Sequence, residues 1–514
     1  MENVNAIELR HITKRFGSIV ANNDINLEIA HGEIIALLGE NGSGKTTLMN
    51  ILSGIYHPDE GEIYVEGKEA RILSPKDAYD YHIGMIHQHF KLIDVFTAAE
   101  NVALGLDKSE KFDRNNIANK VREISDRYGF AIDPNKKVYD MSVSEKQTLE
   151  IIKILYRGAD ILILDEPTAV LTPQETRRLF QVLRAMKADG KAIIIITHKL
   201  NEVMDISDKV SVLRKGKYIG TKVTAETNTQ ELTEMMVGYS VSLNIDRPEP
   251  VDPQLRMKIE DLTVVDQENL MRLDHVSFDV YSGEILGIAG IAGSGQKELL
   301  EAIAGLQRIK EGSILYSAEN STEPAQLVGK TPMEIRKCGV GMAFVPEDRL
   351  GMGLAGTMGM TGNMMLRSWL HGKGIFVNRS KPKEQAEYIK NELEVVTPDI
   401  SYPVRRLSGG NIQKVLVGRE IATAPSVLMS AYAVRGLDIN TSYTIYNLMT
   451  KQKMKGVAVL FVGEDLDVLL ELCDRILVLC DGKVSGIVDA RTATKEQIGL
   501  MMAHIPGEEA EKDD

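Results

Sequence analysis

Two closely similar glycine-rich segments limit what this chain can fold into. The first, GENGSGKTTLMNILSG, begins at Gly39, and the second, GIAGSGQKELLEAIAG, begins at Gly290. The residues before them also align, with Glu33 opposite Glu284. A repeat period of about 250 residues is far longer than the roughly 20 to 50 residues of solenoid repeats, so each copy is predicted to be a domain with its own core.

The chain has 514 residues, which is enough for two domains of ordinary size. Pro248, Pro250 and Pro253 lie among charged residues between the two copies, where they would interrupt a helix or a central strand. The predicted division is therefore a first domain, a linker, a second domain and an acidic tail, at residues 1–243, 244–256, 257–505 and 506–514.

Within each copy, short aliphatic runs such as EIIALLG and ILILDEP alternate with longer amphipathic stretches such as TRRLFQVLRAMKADG. Continuous aliphatic runs are typical of strands buried on both faces, and the amphipathic stretches are typical of helices that cover them. The predicted fold class is therefore α/β, with a mostly parallel sheet flanked by helices in each domain.

The composition and charge of the chain limit where the protein can be located and which partners it can bind. No apolar run reaches the roughly 20 residues that a membrane span needs, and the first residues, MENVNAIELR, lack the order of a signal peptide. We therefore expect a cytoplasmic protein. The formal net charge of −13 argues against nucleic acid as the main partner.

The first glycine-rich segment matches the phosphate-loop pattern G-x-x-x-x-G-K-(S/T), after an aliphatic strand and before a helix. Gly42 and Gly44 allow backbone N–H groups to turn toward phosphates, Lys45 supplies a positive charge, and Thr46 offers a hydroxyl to Mg²⁺. The predicted nucleotide contacts in this segment are Gly39, Asn41, Gly42, Ser43, Gly44, Lys45, Thr46 and Thr47.

An acid pair follows the aliphatic strand of ILILDEP, at Asp165 and Glu166. One carboxylate at such a position can hold a metal ion, and the next can orient an attacking water molecule. Together with the phosphate loop, the pair predicts hydrolysis of a nucleotide triphosphate.

Further motifs make a family resemblance visible. They are MIHQHF with Gln88, IITHKL with His198, and RRLSGGNIQK, which contains the signature residues Ser408, Gly409, Gly410 and Asn411. In this order, and over almost the whole chain, the motifs resemble those of the ATP-binding cassette (ABC) ATPases. The resemblance implies two tandem ABC-type P-loop NTPase domains, each with a helical subdomain beside its sheet.

The resemblance also implies roles for single residues. It assigns Gln88 to Mg²⁺ and coupling, His198 to the γ-phosphate, and Phe16 to stacking on adenine; without it, Phe16 would be read as a core residue. The signature residues would contact the γ-phosphate held by the other half of the chain. The implied catalytic residues are Lys45, Gln88, Glu166 and His198, and the implied metal contacts are Thr46, Gln88 and Asp165.

The second copy departs from the family pattern. Gln296 replaces the loop lysine, and Lys297 replaces the hydroxyl that would contact Mg²⁺. The other changed positions are Ala431 and Tyr432 at the acid pair, Ala433 and Val434 after it, Glu347 for Gln88, Glu464 for His198, and Ser144 in the first-half signature MSVSEKQ. The changes are predicted to leave one competent composite ATP site, and nucleotide binding at the other stays open.

The fused arrangement, together with LSGGNIQK and VPEDR, resembles the ATPase subunits of bacterial simple-sugar and nucleoside importers. MIHQHFKLIDVFTAAENVALG is more similar to the nucleoside type, with the ribose or galactose type as the alternative. A soluble two-cassette ATPase acting on ribosomes or DNA, and a nucleotide switch without turnover, are less favoured alternatives.

Partners follow from the resemblance. It implies ATP and Mg²⁺, two transmembrane permease subunits, an extracytoplasmic solute-binding lipoprotein, and a peripheral location on the cytoplasmic face of the membrane, with one two-cassette chain per transporter. An apolar segment after Gln88 either docks the permeases or is a locally buried loop; its apolar residues are Phe90, Leu92, Ile93, Val95 and Phe96.

Overall fold

The computed structural model describes residues 4–87, 90–104, 113–169, 171–239, 245–266, 268–319, 323–368 and 378–503. The chain separates into two compact units, unit 1 at Met1–Ser242 and unit 2 at Leu243–Asp514. Among the described residues, no helix is long and apolar enough to cross a membrane.

Unit 1 contains two sheets. The larger has six strands in the order β10-β9-β3-β8-β7-β6, all parallel except β10, and the smaller is antiparallel in the order β2-β1-β4-β5. The strands are β1 (Ile7–Phe16), β2 (Ile19–Ile29), β3 (Ile34–Leu38), β4 (Glu60–Val65), β5 (Lys68–Glu69), β6 (Ile83–Ile86), β7 (Ile161–Asp165), β8 (Ala192–Ile196), β9 (Lys209–Arg214) and β10 (Lys217–Val223).

The α-helices of unit 1 cover the larger sheet or form a separate helical group. They are α1 (Lys45–Leu52), α2 (Pro75–Asp80), α3 (Ala98–Ala103), α4 (Arg114–Tyr128), α5 (Val143–Tyr156), α6 (Pro173–Ala188), α7 (Leu200–Ile206) and α8 (Thr229–Val237). Short 3₁₀ turns lie at Val138–Asp140 and Thr224–Glu226.

Unit 2 repeats this plan. Its six-stranded sheet has the order β16-β17-β18-β13-β19-β20, and its antiparallel sheet has the order β12-β11-β14-β15. The strands are β11 (Leu255–Val265), β12 (Met271–Tyr281), β13 (Ile285–Gly290), β14 (Ile309–Tyr316), β15 (Ala325–Gln326), β16 (Met342–Val345), β17 (Val427–Ala431), β18 (Ala458–Val462), β19 (Arg475–Cys480) and β20 (Lys483–Asp489).

The α-helices of unit 2 follow in the same sequence. They are α9 (Gln296–Ile303), α10 (Pro332–Lys337), α11 (Met360–Ser368), α12 (Ser380–Glu392), α13 (Gly409–Ile421), α14 (Ile439–Lys453), α15 (Leu466–Leu472) and α16 (Lys495–Ala503). Unit 2 also contains a short π-helix at Arg349–Gly353 and a 3₁₀ turn at Val404–Arg406.

The prediction of a mostly parallel sheet flanked by helices is confirmed for both units. Strands β3 and β8 are buried along their whole length, as their unbroken aliphatic runs require. The additional antiparallel sheet in each unit was not predicted. Its strands β1 and β2 mix buried and exposed residues, so their sequences lack the continuous aliphatic pattern that marked the parallel strands.

The implied helical subdomain is present in unit 1 as the group α3, α4 and α5. These helices share an apolar core that includes Val102, Val121 and Leu149, all fully buried. This group is separate from the cores on the two faces of the parallel sheet. The apolar segment after Gln88 leads directly into it, because α3 begins at Ala98.

Candidate functional site

The phosphate-binding loop of unit 1 connects β3 to α1. Strand β3 is buried, which fixes the start of the loop, and α1 begins at Lys45 with Gly44 as its N-cap at φ 99°. Gly42 has φ 80°, and a Cβ added there would meet no other atom, so the space above the loop is open. Glycine is required where the backbone takes these left-handed conformations.

Lys45 is the buried cation of the loop. Its Nζ donates hydrogen bonds to the carbonyl oxygens of Gly39 at 2.7 Å and Glu40 at 3.0 Å. Burial lowers the pKa of Lys45, and the negative charges of Glu166 and Asp165 partly oppose this shift. The ammonium group is therefore held inside the loop by backbone carbonyls, at the position where the sequence predicted a phosphate contact.

The remaining predicted loop residues differ in exposure. Asn41 and Thr46 are exposed, Thr47 is half-buried, and Ser43 is buried. The exposed Thr46 hydroxyl at the first turn of α1 has the chemistry of a Mg²⁺ ligand. The positive end of the α1 dipole faces the same loop, so the loop favours an anionic group.

The acid pair lies at the end of β7. Asp165 is its last residue, and Glu166 follows at φ 48°, with its N–H donating to the carbonyl oxygen of Ile196 in β8 at 2.8 Å. Burial raises the pKa of Asp165 to about 6, and the neighbouring Glu166 charge adds to the increase. Asp165 therefore becomes fully charged only near neutral pH.

His198 follows the neighbouring strand β8 and contacts the acid pair. Its Nδ1 lies 3.1 Å from Oε1 of Glu166, within hydrogen-bond distance. This contact holds the pKa of Glu166 below its usual value, although burial acts in the opposite direction. The structure thus brings Lys45, Asp165, Glu166 and His198 to one edge of the parallel sheet, where the carboxyl ends of its strands meet. Gln88 lies outside the described residues.

Phe16 is exposed at the end of β1, with 41% of its surface accessible. Its ring packs edge-on against Tyr56 at a centroid distance of 5.2 Å, and Lys14 Nζ lies 5.5 Å from the ring centre. The core interpretation of Phe16 is therefore wrong, and an aromatic face is available for stacking.

The corresponding loop of unit 2 keeps its shape and changes its chemistry. Gly295 caps α9 at φ 96°, as Gly44 caps α1. Gln296 is buried, and its Nε2 donates to the carbonyl oxygen of Ile291 at 3.0 Å, the counterpart of the Lys45 bond to Glu40. The neutral amide of Gln296 thus makes a backbone contact like that of Lys45 but carries no charge.

An arginine joins the two acids that replace Gln88 and His198. Arg435 Nη1 lies 2.6 Å from Glu347 Oε1, and its Nε lies 3.1 Å from Glu464 Oε1. Tyr432 stands where Glu166 stands in unit 1, and burial raises its pKa to about 12. Arg435 therefore offsets part of the negative charge of this cluster from within unit 2.

The signature residues of unit 2 form the start of α13. Ser408 is the N-cap, and its Oγ accepts a hydrogen bond from the N–H of Asn411 at 3.4 Å. Ser408 and Gly409 are exposed, and Gly410 is half-buried. The N-terminus of this 13-residue helix is thus an exposed, electrically positive surface.

The equivalent helix start in unit 1 carries its own negative charge. Ser142 caps α5 in a capping box with Glu145, which is the counterpart of Asn411. Glu145 Oε2 accepts from the Ser142 N–H at 2.7 Å, and Lys136 Nζ pairs with the same carboxylate at 2.8 Å. The carboxylate thus accepts from the N–H of the cap residue, which places a negative group, paired with Lys136, beside the start of α5.

A family model described as ABC transporter matches residues 22–169 and 273–430, which together make up more than half of the chain. The chain belongs to the ABC transporter family. Each match contains one phosphate-binding loop, so the ABC domain occurs twice, and the resemblance inferred from the motifs is confirmed.

Full-length relatives of this ABC chain carry the names of import proteins. It is 41% identical to the nucleoside import ATP-binding protein NupA of Lactococcus lactis subsp. cremoris, covering 98% of this chain and 99% of that protein. It is 42% identical to the guanosine import ATP-binding protein NupO of Bacillus subtilis, with the same coverage. It is 37% identical to the ribose import ATP-binding protein RbsA 1 of Rubrobacter xylanophilus, covering 97% and 98%.

Two contacts near the candidate site of this ABC chain were not predicted from the sequence. Glu145 could have been found, because Ser-x-x-Glu in MSVSEKQ is a capping-box pattern. The bridge made by Arg435 could not, since its partners Glu347 and Glu464 lie far away in the sequence and converge only through the sheet.

Proposed function

We propose that this ABC chain is an import ATPase that hydrolyses ATP at the residues of unit 1 and drives the uptake of a nucleoside. The family match and the names of three full-length relatives support an ABC importer ATPase. The observation that carries the assignment of turnover to unit 1 is the cluster of Lys45, Asp165, Glu166 and His198 at one sheet edge.

The proposed chemistry assigns one task to each side chain. Lys45 binds the phosphates and stabilises the negative charge that develops on them. Glu166, whose contact with His198 lowers its pKa and so favours the charged form, accepts a hydrogen bond from the attacking water and orients it. His198 is exposed beside Glu166 and is proposed to donate to the γ-phosphate.

The residues present fit a Mg²⁺ ion only in combination with the nucleotide. Thr46 and Asp165, with Gln88 outside the described residues, would hold the ion, which when bound neutralises phosphate charge. Among the described residues no group of three or more histidine, cysteine or acidic side chains is placed to hold a metal. This small donor set agrees with the preference of Mg²⁺ for one or two protein ligands plus substrate phosphates.

The signature residues of unit 2 are proposed to contact the γ-phosphate bound by unit 1. This proposal is supported by the chemistry of the helix N-terminus, which is exposed and has no carboxylate. The residues that form it are Ser408, Gly409, Gly410 and Asn411. Glu145 opposes the reverse assignment, because its carboxylate already occupies the corresponding helix start in unit 1. The competent site is therefore proposed to use unit 1 catalytic residues and the unit 2 signature.

A nucleoside is proposed as the solute because the two relatives with the higher identities are named for nucleoside and guanosine import, at 41% and 42%. A simple sugar is the second candidate, favoured by the ribose import relative at 37% identity. Uptake assays with radiolabelled guanosine and ribose, in cells with and without this chain, distinguish the two.

The proposed partners are two membrane permeases and an extracytoplasmic solute-binding lipoprotein, with this chain peripheral on the cytoplasmic face. Support comes from the segment after Gln88, in which Ile93 and Val95 are 41% and 65% exposed. The buried Asn101 fixes this segment, accepting from the Ile93 N–H at 2.8 Å. Phe90, Leu92 and Phe96 are half-buried, so Ile93 and Val95 are the residues of this segment proposed to contact the permeases.

Substitution of the proposed catalytic acid tests this function. Glu166→Gln should lower ATP hydrolysis at least about 100-fold, because the amide cannot accept the proton or orient water as a carboxylate does. ATP binding should persist, as measured by calorimetry. Tyr432→Phe, the matched change in unit 2, should leave the rate near that of the wild type. Normal phosphate release by Glu166→Gln would refute the assignment.

A further inference from the structure

Asn22 is a fully buried polar residue of β2 that lies against the phosphate-binding loop of unit 1. Its Nδ2 donates a hydrogen bond to the carbonyl oxygen of Gly44 at 3.1 Å. Its Oδ1 has no hydrogen-bond partner among the described residues. A buried oxygen that loses its bonds to water and gains none destabilises the folded state, so its presence requires a reason.

A second oxygen of this kind lies one residue from Gly44. Ser43 is 2% exposed, and its Oγ likewise has no partner in the part of the chain that the structure describes. It lies beside the start of the loop, because a Cβ added to Gly39 would fall 2.4 Å from it. Two unmatched buried oxygens therefore adjoin the same phosphate-binding loop.

Unit 2 has Leu273 at the position of Asn22. The following residues make equivalent backbone bonds: the Asn23 N–H donates to Gly216 at 2.7 Å, and the Asp274 N–H donates to Gly482 at 2.9 Å. Leu273 is fully buried, as Asn22 is. The unit that retains the loop lysine thus has an amide at this position, and the other unit has a hydrocarbon.

The two side chains also contact the loops in the same way. A Cβ on Gly44 would fall 2.6 Å from Nδ2 of Asn22, and a Cβ on Gly295 would fall 2.6 Å from Cδ2 of Leu273. A leucine therefore fits at this position of the fold beside a loop that has the same backbone shape. Packing at this position does not require an asparagine in unit 1. The property that needs an explanation is therefore the polarity of its side chain.

The hydrogen bond from Asn22 acts on the peptide unit that joins Gly44 to Lys45. The Gly44 carbonyl also accepts from the Leu48 N–H at 2.9 Å, so two donors fix its direction. In a planar trans peptide the carbonyl and the next N–H point in opposite directions. Fixing the Gly44 carbonyl therefore directs the Lys45 N–H away from α1 and toward the loop.

We propose that Asn22 is a positioning residue of the nucleotide site in unit 1. Its Nδ2 holds the Gly44–Lys45 peptide in the orientation that binds phosphate, and its unmatched Oδ1 is the stability cost of placing an amide there. This inference rests on the proposed function, because it assumes that unit 1 binds ATP. It predicts that Asn22 favours binding at the expense of stability.

The test separates binding from folding in the full chain. In a Glu166→Gln background, which prevents hydrolysis, Asn22→Leu should raise the Kd for Mg-ATP about three- to tenfold, the value of one or two hydrogen bonds. Its melting temperature should equal or exceed that of the parent, because the unmatched oxygen is gone. Asn22→Ala, which introduces no new bulk, should also weaken binding.

Leu273→Asn is the matched control in unit 2. It should leave the Kd unchanged and lower the melting temperature, because it buries a new amide in an apolar site. Unchanged Kd values for both Asn22 variants, at any melting temperature, would overturn the inference and leave Asn22 with a structural role. Absence of ATP binding by the Glu166→Gln parent would instead overturn the proposed function.

Discussion

Glu166 and Tyr432 occupy the same unusual backbone position in the two units. Their φ angles are 48° and 50°, and each N–H donates to the end of the neighbouring strand, at Ile196 and Val462. A left-handed conformation is unfavourable for both residue types and persists only where surrounding structure imposes it. The fold therefore keeps this turn for architectural reasons, and the side chain alone decides whether the position can act on water.

Asp165 provides a prediction at the same scale. Its pKa in the folded chain is about 6, above the usual value of about 4. Because the folded state then binds more protons than the unfolded state, stability falls as pH rises between these two values. Asp165→Asn, which cannot ionise, should therefore melt at a higher temperature than the wild type at pH 7.5, and lose hydrolysis.

Calorimetry at two pH values checks this prediction. The difference in melting temperature should shrink as the pH is lowered and approach zero below about pH 3, where the wild-type carboxyl is protonated in both states. The isosteric change leaves packing in place, so a difference that is equal at both pH values would show that ionisation of Asp165 is not its cause.

At the scale of elements, two helix N-termini of the same fold have opposite chemistry. Helix α13 exposes Ser408 and Gly409 without an acid, whereas α5 is closed by the carboxylate of Glu145. A helix N-terminus attracts anions, and a side-chain carboxylate beside it weakens that attraction by repulsion. The two helix starts therefore differ in how favourable they are for an anion.

Gly409→Asp should therefore abolish hydrolysis while preserving the fold. An acid in the first turn of a helix is favourable for helix stability, and a Cβ at Gly409 would meet only the end of the Arg349 side chain, at 3.2 Å. The new carboxylate would repel the γ-phosphate and should cost at least about 100-fold in rate.

Ser144→Asp places the same charge in the first turn of α5 and is the control. It should change the rate little, because the proposed turnover uses the signature of unit 2 and not this helix start. Steady-state phosphate release by the two variants, with melting curves to verify folding, decides the matter. Equal inhibition by both would contradict the proposed use of α13.

At the scale of the whole molecule, the two units have the same fold and different charges at the nucleotide position. Lys45 places a buried ammonium in the loop of unit 1, and Gln296 makes the matching backbone bond with a neutral amide. In unit 2, Arg435 forms ion pairs with Glu347 and Glu464 within the unit itself. The two units therefore share a fold but differ in the charge of the side chains at the nucleotide position.

The asymmetry gives a prediction for the full chain. Lys45→Ala should eliminate ATP hydrolysis, since it removes the cation that binds and stabilises phosphate charge. Gln296→Ala should retain most of the activity, with some loss of melting temperature from the buried hydrogen bond. Turnover measured with the membrane partners present, if turnover requires them, compares the two; similar loss in both variants would remove the case for a single working site.

Sequence alone determined the repeat, the parallel sheets and the principal residues of the candidate site. These signals are local: aliphatic runs mark buried strands, glycines mark a loop with left-handed residues, and Asp165 and Glu166 directly follow a strand. Carboxyl ends of parallel strands meet at one edge, so motifs at strand ends imply a common site even when they lie far apart in the chain.

Tertiary structure alone decided the contacts between distant residues. It joined His198 to Glu166, Arg435 to two acids, and the buried amide of Asn22 to the Gly44 carbonyl. It also left Phe16 exposed, which the pattern of β1 did not predict. The physical reason is that burial, pKa and hydrogen bonding depend on neighbours brought together by the sheets, and no short stretch of sequence contains those neighbours.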